Sequence, residues 1–555
     1  MITDITFKFG KGPGSKPEKA QLTPVTVFVG PNFSGKSKVL DEIRRRCSNE
    51  EQSPATDVII DHLGFAAPSR EAAEQTIRRF SLPVPSNQPM QAGEILYGRP
   101  QHPYRLDREI LLGHLLDPTG RNFSSYYLDL NTLMLSGPNR IDLISQQGAG
   151  DLQGPFFTSF QVLFSDSAKR AEVRRIVHDA FGLYFVLDPT NLGQLRVRLS
   201  PREPADDIEE CGIHEGAVKF HAAALPIEST SDGVKAFTGM ITQVIAGDPT
   251  VLLIDEPEAF LHPALAFKLG SEVARLTSAT RKSLLVSTHS ADFVMGCIQS
   301  GAPVTIIRLT YRSGAATVRV LRSDEILQLM RNPLLRSTGV LRGLFYESVV
   351  VTESDTDRAF YQEVNERLLR FAPHDGIPNC LFLNAQNKQT VQTIIRPLRD
   401  LGIPAAGIVD IDVLKEGGGV WSGFLEGGFV PQIERQALAL SRGAIKSKID
   451  ATAKDMKKEG GIELLAGAER EAAINLLERL LEYGLFVVPK GEIESWLPAL
   501  GARGHGPNWL IDVFEKMGED PASTEYVKPR PGDVWEFIAS VRRWLTNPSR
   551  KGIPC

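Results

Sequence analysis

The sequence predicts two α/β lobes, each built on a parallel sheet, and three observations carry that prediction. Residues 24–46, PVTVFVGPNFSGKSKVLDEIRRR, read as an apolar strand, a glycine-bounded loop and an amphipathic helix. Residues 251–263, VLLIDEPEAFLHP, read as a buried strand that ends in two acids, and SLLVSTH at 283–289 reads as another such strand. From residue 347 the pattern alternates strand (ESVVVTE), helix (DTDRAFYQEVNERLLRF), strand (CLFLNA), helix (TVQTIIRPLRDLG) and strand (PAAGIVDID). That alternation is what parallel βαβ units require. A chain of 555 residues is too long for one core. A boundary near 340 gives a first domain, 1–340, with a helical insertion over roughly 50–220, and a second, 341–555, with a C-terminal helical extension.

Composition excludes more than it selects. Hydrophobic residues make up 42% and charged residues 23%, ordinary values for a globular chain. A net charge of -5 exerts no global pull on polyanions, so contact with phosphate backbones must come from local basic patches or bound cations. Cys47, Cys211, Cys297, Cys380 and Cys555 are odd in number, widely spaced and free of any C-x-x-C pair. They argue for a reducing compartment and against a zinc ribbon. The N-terminus carries no charged-then-apolar signal, and no apolar run approaches the roughly 20 residues of a membrane span. A soluble cytoplasmic protein with no membrane contact is expected.

The first lobe carries phosphate chemistry. GPNFSGKS matches G-x-x-x-x-G-K-S in the strand, loop and helix context it needs, which makes Gly30, Asn32, Ser34, Gly35, Lys36 and Ser37 candidate ATP-binding residues. The glycines let backbone N–H groups face phosphates at a helix N-terminus, Lys36 reaches the β/γ oxygens, and the Ser37 hydroxyl can ligate magnesium. At the end of the acidic strand, Asp255 would hold that magnesium directly or through water, and Glu256 would orient or deprotonate the attacking water. His289 ends the next strand, where a histidine can sense the γ-phosphate.

Between these motifs lies Ser231-Asp232-Gly233, just ahead of an amphipathic helix. The order of the four elements resembles the ABC-type ATPases of the DNA-repair and defence branch. That resemblance implies that Ser231 and Gly233 read the γ-phosphate held by a partner subunit, so at least a homodimer is expected. SDGVK stands where transporters have a longer glycine-rich form, and DEPEAFLHP, with Glu258 and His262, is similar to nuclease-associated and recombination members. Gln146 and Gln147 are the candidates for a metal-sensing glutamine. No long heptad run is present, so coiled-coil arms are not expected.

In the second lobe, Glu353 ends one strand with Asp357 one turn on, and Asp410 and Asp412 end another. Four carboxylates at two strand ends can hold divalent metal in a site that takes phosphate oxygens. Glu353 and the Asp410-x-Asp412 pair resemble the acids of a Toprim domain, the fold shared by topoisomerases, primases and several nucleases. Ser354 replaces the glycine usual after the glutamate, and VLKEGGG after Asp412 departs from the primase form, so the resemblance leans towards divergent nucleases. It implies a second metal position at Glu494, with Glu492 behind it, and a lysine near the end of the domain, for which Lys528 is the candidate. The basic run 442–458, RGAIKSKIDATAKDMKK, with Arg530, Arg542 and Arg543, reads either as a solvated face or as a guide for phosphate backbone.

The ATPase-then-Toprim order spans nearly the whole chain and resembles the OLD (overcoming lysogenisation defect) family, which includes the nuclease subunit of the Gabija antiphage system. The resemblance implies ATP and Mg2+ or Mn2+ as cofactors and a DNA endonuclease of bacterial defence, controlled by an ATPase dimer. A defence-system partner protein is an open possibility. Two rivals remain at this point: a Toprim-like RNase that cuts tRNA on infection, and an ATP-gated sensor or DNA clamp without nuclease activity.

Overall fold

The computed structural model describes residues 2–12, 14–48, 57–84, 90–99, 101–154, 156–280, 282–312 and 314–554. Loop residues Gly30–Asn32 aside, the chain divides into two compact units, Met1–Val29 with Phe33–Leu327, and Gln328–Cys555. The division falls ahead of 340 because the Val340–Phe345 turn packs under the second sheet, where Gly343 lies against Leu398 and Val349. Cys47, Cys211, Cys297 and Cys380 are free thiols, and Cys555 lies outside the described residues. Among the described residues no helix is long and apolar enough to cross a membrane.

The first unit is organised by a six-stranded sheet. Its spatial order is Ala315–Arg322, Val304–Arg312, Val25–Val29, Ser283–Ser287, Val251–Asp255 and Thr132–Leu135. All neighbours run parallel except the first pair, an antiparallel hairpin that closes one edge. The central strands VTVFV and SLLVS are buried throughout, as strands covered on both faces must be. Phe28, Leu253 and Leu285 pack with Val39, Leu40 and Ile43 of the helix Lys36–Cys47, which fixes that helix behind its loop.

The stretch from 50 to 220, expected as a helical insertion, is mixed. It holds helices such as Ser167–Phe181, but also the hairpins Glu94–Arg99 with His102–Asp107 and Tyr184–Asp188 with Gln194–Ser200. QLRVRLS alternates buried and half-buried positions with period two, a strand signal that the length of the stretch obscured. Thr132–Leu135 joins the central sheet beside the acidic strand, so this stretch is part of the scaffold.

The second unit has a four-stranded, all-parallel sheet ordered Cys380–Asn384, Ser348–Thr352, Ala405–Val409 and Leu485–Val487. One face is covered by Phe360, Tyr361 and Val364 of the helix Asp355–Phe371, together with Trp509, Trp535 and Trp544 from the C-terminal helices. On the other face lies the helix Lys388–Asp400, so close that a Cβ on Gly407 would meet Ile395 at 2.4 Å. Arg399, fully buried, donates to the carbonyls of Ala405, Gly428 and Gly552 and so ties the last residues to the sheet.

Candidate functional site

In the first unit the Val25–Val29 strand delivers its loop at the carboxyl edge of the sheet, where open α/β sheets take ligands. Phe33 (φ 61°) and Gly35 (φ 93°) turn the backbone through left-handed angles, and Gly35 starts the helix Lys36–Cys47. Among the described residues no side chain caps that helix, and its first turn holds no acid, an arrangement that admits an anion. Gly30 and Ser34 are buried and Asn32 is exposed. Lys36 is buried, and burial pulls its ammonium down to about 8 against the opposing charges of Glu256, Asp255 and Glu258.

The acidic strand meets this loop. Ser37 Oγ donates to Asp255 Oδ1 at 3.0 Å, and Ser287 donates to the same oxygen, so the hydroxyl and carboxylate of the expected magnesium pair face each other. Glu256 sits at φ 53°, its N–H donating to the Ser287 carbonyl at 2.8 Å and its own carbonyl accepting from the buried Arg140. His289 Nε2 lies 3.5 Å from Glu256 Oε1, while the His289 N–H donates to Glu258 Oε1 at 2.7 Å. Burial, then Lys36, holds the imidazole below its ordinary 6.5, against the opposing pull of Glu256 and Asp255.

Ser231 stands exposed at the start of the helix Asp232–Ala246. Gly233, one position into that helix, is buried, and a Cβ there would meet the Phe260 carbonyl at 2.5 Å. The signature helix and the turn after the acidic strand therefore touch backbone to backbone. Gln147 accepts from the Phe160 N–H at 3.4 Å and is held inside its own lobe, whereas Gln146 is exposed.

In the second unit, parallel pairing of Val351 with Gly407 sets two strand ends level. Glu353 Oε1 accepts from the Asp410 N–H at 2.8 Å, and one carboxylate oxygen from each of Glu353, Asp410 and Asp412 lies within 4.8 Å of the others. Asp357 is locked by a capping box: the Ser354 N–H donates to its carboxylate at 2.9 Å, and its own N–H donates to Ser354 Oγ at 3.2 Å. Ser354 thus has a local task that glycine could not perform.

This cluster is electrostatically strained. Burial raises Glu353 well above the usual carboxylate range, and Asp410, Asp412 and Asp357 push it further. Burial and then Asp410 push Asp357 up to about 7, and burial also raises Asp410. Asp412 Oδ1 is buried with no hydrogen-bond donor among the described residues. Hard oxygen donors, mutual repulsion and an unsatisfied buried carboxylate oxygen all fit a divalent cation of the Mg2+ or Mn2+ kind.

Three residues that the sequence did not single out complete the surroundings. Lys457 Nζ lies 2.8 Å from Asp410 and 3.6 Å from Glu492, and Lys388 Nζ lies 2.8 Å from Asp412 and 3.0 Å from Glu416. His505 joins Glu492 and Glu494 in a second group of ligand atoms within 4.8 Å of one another. Lys457 belonged to the basic run already noted, but nothing in the run marks which lysine turns inward. Lys528 is not brought to the acids. It is exposed, with its ammonium 5.3 Å from the Phe371 ring, whereas Asp357 lies about 20 Å away along the helix Asp355–Phe371.

These features define the first unit as an ATP-binding P-loop ATPase domain of the AAA and ABC type. Residues 151–296 match the family described as "AAA domain, putative AbiEii toxin, Type IV TA system". The chain is 24% identical over 255 residues to the glycine betaine/proline betaine transport system ATP-binding protein ProV of Salmonella typhimurium, and 23% identical to that of Escherichia coli. Each alignment takes in 45% of this chain, which spans 58% of the length of these relatives. Among solved structures it aligns with the SmcHead bound to the C-winged helix domain of ScpA, at 16% identity and TM-score 0.33, over 59% of this chain and 99% of that one. The SMC head domain from Thermotoga maritima aligns at 14% identity and TM-score 0.30, over 58% and 99%. The assignment rests on the sheet, its motifs and the sequence matches.

Proposed function

We propose that the second unit is a Toprim-type, metal-dependent nuclease centre, and that the chain is an OLD-like endonuclease of bacterial antiphage defence under the control of its ATPase. The observation that carries this reading is the convergence of Glu353, Asp410 and Asp412 from neighbouring ends of a parallel sheet. Glu353, Asp410, Asp412 and, beside them, Asp357 would hold the cation, with Glu494 at a further position. A bound divalent ion supplies charge stabilisation for a phosphodiester's attacking and leaving oxygens. Lys457 and Lys388 orient Asp410 and Asp412 through ion pairs and temper the negative field that would otherwise repel a phosphate backbone. The toxin–antitoxin wording of the matched family supports a defence role.

In the ATPase unit, Lys36 and the loop backbone would bind phosphates, Ser37 and Asp255 would hold Mg2+, and Glu256, oriented beside His289, would position the water. Ser231 and Gly233 would act across a homodimer, closing ATP between two copies. The test is plasmid DNA incubated with the purified chain and Mg2+ or Mn2+, with and without ATP, beside an Asp410→Ala/Asp412→Ala protein. Metal-dependent cutting by the unaltered protein alone is expected, and the ATP lanes give the sign of control. Intact DNA in every lane, with tRNA cleaved in a parallel assay, would move the substrate to RNA. Cutting by the double variant would overturn the assignment.

A further inference from the structure

We infer that His505, with Glu492 and Glu494, forms a second cation position beside the Glu353, Asp410 and Asp412 centre, and that its nitrogen donor tunes this position to Mn2+ or Co2+ over Mg2+. The inference rests on the metal-centre reading above and adds a ligand that no sequence motif marks. His505 Nδ1 lies 2.7 Å from Glu494 Oε1 and 3.9 Å from Glu492 Oε1, and the three ligand atoms fall within 4.8 Å of one another. Glu494 Oε1 also accepts from the Gly506 N–H at 2.8 Å, which fixes the carboxylate relative to the imidazole. Glu492 is only 7% exposed, and its Oε2 has no hydrogen-bond donor among the described residues, its ion pair to Lys457 being 3.6 Å long. A buried carboxylate oxygen left in that state carries a desolvation cost that a cation would offset.

The chain is built to present this histidine. Gly504 (φ 100°) and Gly506 (φ 58°) flank His505 with left-handed backbone, and the helix Pro507–Met517 that follows is anchored by Trp509, fully buried 5.1 Å from the Phe360 ring. The imidazole itself remains exposed, so the position opens to solvent and leaves room for water or a phosphate oxygen. Two carboxylates and one imidazole suit borderline first-row ions, whereas the all-oxygen set of Glu353, Asp410 and Asp412 suits Mg2+ equally. Lys457, ion-paired to Asp410 and near Glu492, stands between the two groups.

The competing view is that His505 merely closes a surface ion pair with Glu494. Titrating the full chain with Mn2+ and following it by electron paramagnetic resonance, with spin-echo modulation to detect directly bound 14N, separates the two. Two equivalents are expected, one with a nitrogen coupling. In His505→Ala and His505→Gln that coupling disappears and one equivalent weakens by about tenfold or more. The Asp410→Ala/Asp412→Ala protein is expected to keep the nitrogen-coupled equivalent. Bound Mn2+ without nitrogen coupling would overturn the role of His505 and leave the metal centre standing. No bound Mn2+ would overturn both.

Discussion

At the scale of single residues, the two sites handle buried charge in opposite ways. Around Glu256 the compensation is internal: Arg140, 1% exposed, donates to the Ser136 and Glu256 carbonyls and faces Glu258, Asp255 and Glu256. Around Asp357 the chain's own compensation is incomplete, and pH should reveal it. Its carboxyl titrates at an ordinary 3.8 when unfolded and at about 7 when folded. Below the lower value both states hold the proton. Between the two values only the folded state holds it, so the stability it supports is lost as pH rises through that window. Glu353 shifts in the same direction for the same first cause, burial. Chelator-treated protein is therefore expected to melt at a higher temperature at pH 5 than at pH 8, with Mg2+ or Mn2+ restoring stability at pH 8. Asp357→Asn should flatten the fall while keeping the helix cap. Thermal melts at both pH values check this, and an equal fall in the variant would count against it.

At the scale of elements, close backbone approach positions the catalytic ends of the first unit. The helices Pro263–Ser278 and Ala291–Gln299 touch through two glycines: a Cβ on Gly270 would meet the Phe293 carbonyl at 2.3 Å, and one on Gly296 the Phe267 carbonyl at 2.0 Å. His289 lies two residues before the second of these helices, ahead of its cap Ser290, so moving that helix moves the histidine. Gly296→Ala is expected to cost about 1–3 kcal/mol in urea unfolding and to slow ATP hydrolysis in the folded fraction. Unchanged stability would mean the helices can slide apart freely. The two glycines have no signature in the sequence, because their meaning lies in a partner helix. The phosphate loop, Asp255 and His289 were legible because strand, turn and helix signals are local. Lys388, Lys457, Arg140 and His505 were not, because each reaches its site through packing between distant segments. The strands within 50–220 could not be placed for a related reason, since one such as Thr132–Leu135 is recognisable only beside the sheet it joins.

At the scale of the whole molecule, the two candidate sites are built on different sheets. The nucleotide residues hang on one sheet and the acid residues on another, and each sheet is closed by its own helices and core. Asp255 accepts from Ser37 and Ser287, Glu256 bonds with Ser287 and Arg140, and Glu353 accepts from the Asp410 N–H, so these bonds run between neighbours around the same sheet. On the proposed reading, ATP hydrolysis and DNA cutting should therefore separate by mutation. Glu256→Gln is expected to slow ATP hydrolysis by about a hundredfold or more, the scale on which loss of a positioned general base acts, while metal binding and basal plasmid cutting persist. Asp410→Ala should do the reverse, abolishing cutting with hydrolysis intact. Measuring both rates on both variants distinguishes control from shared chemistry. If Glu256→Gln abolishes cutting even without nucleotide, the ATPase supplies more than control, and the nuclease needs a state that only ATP turnover creates.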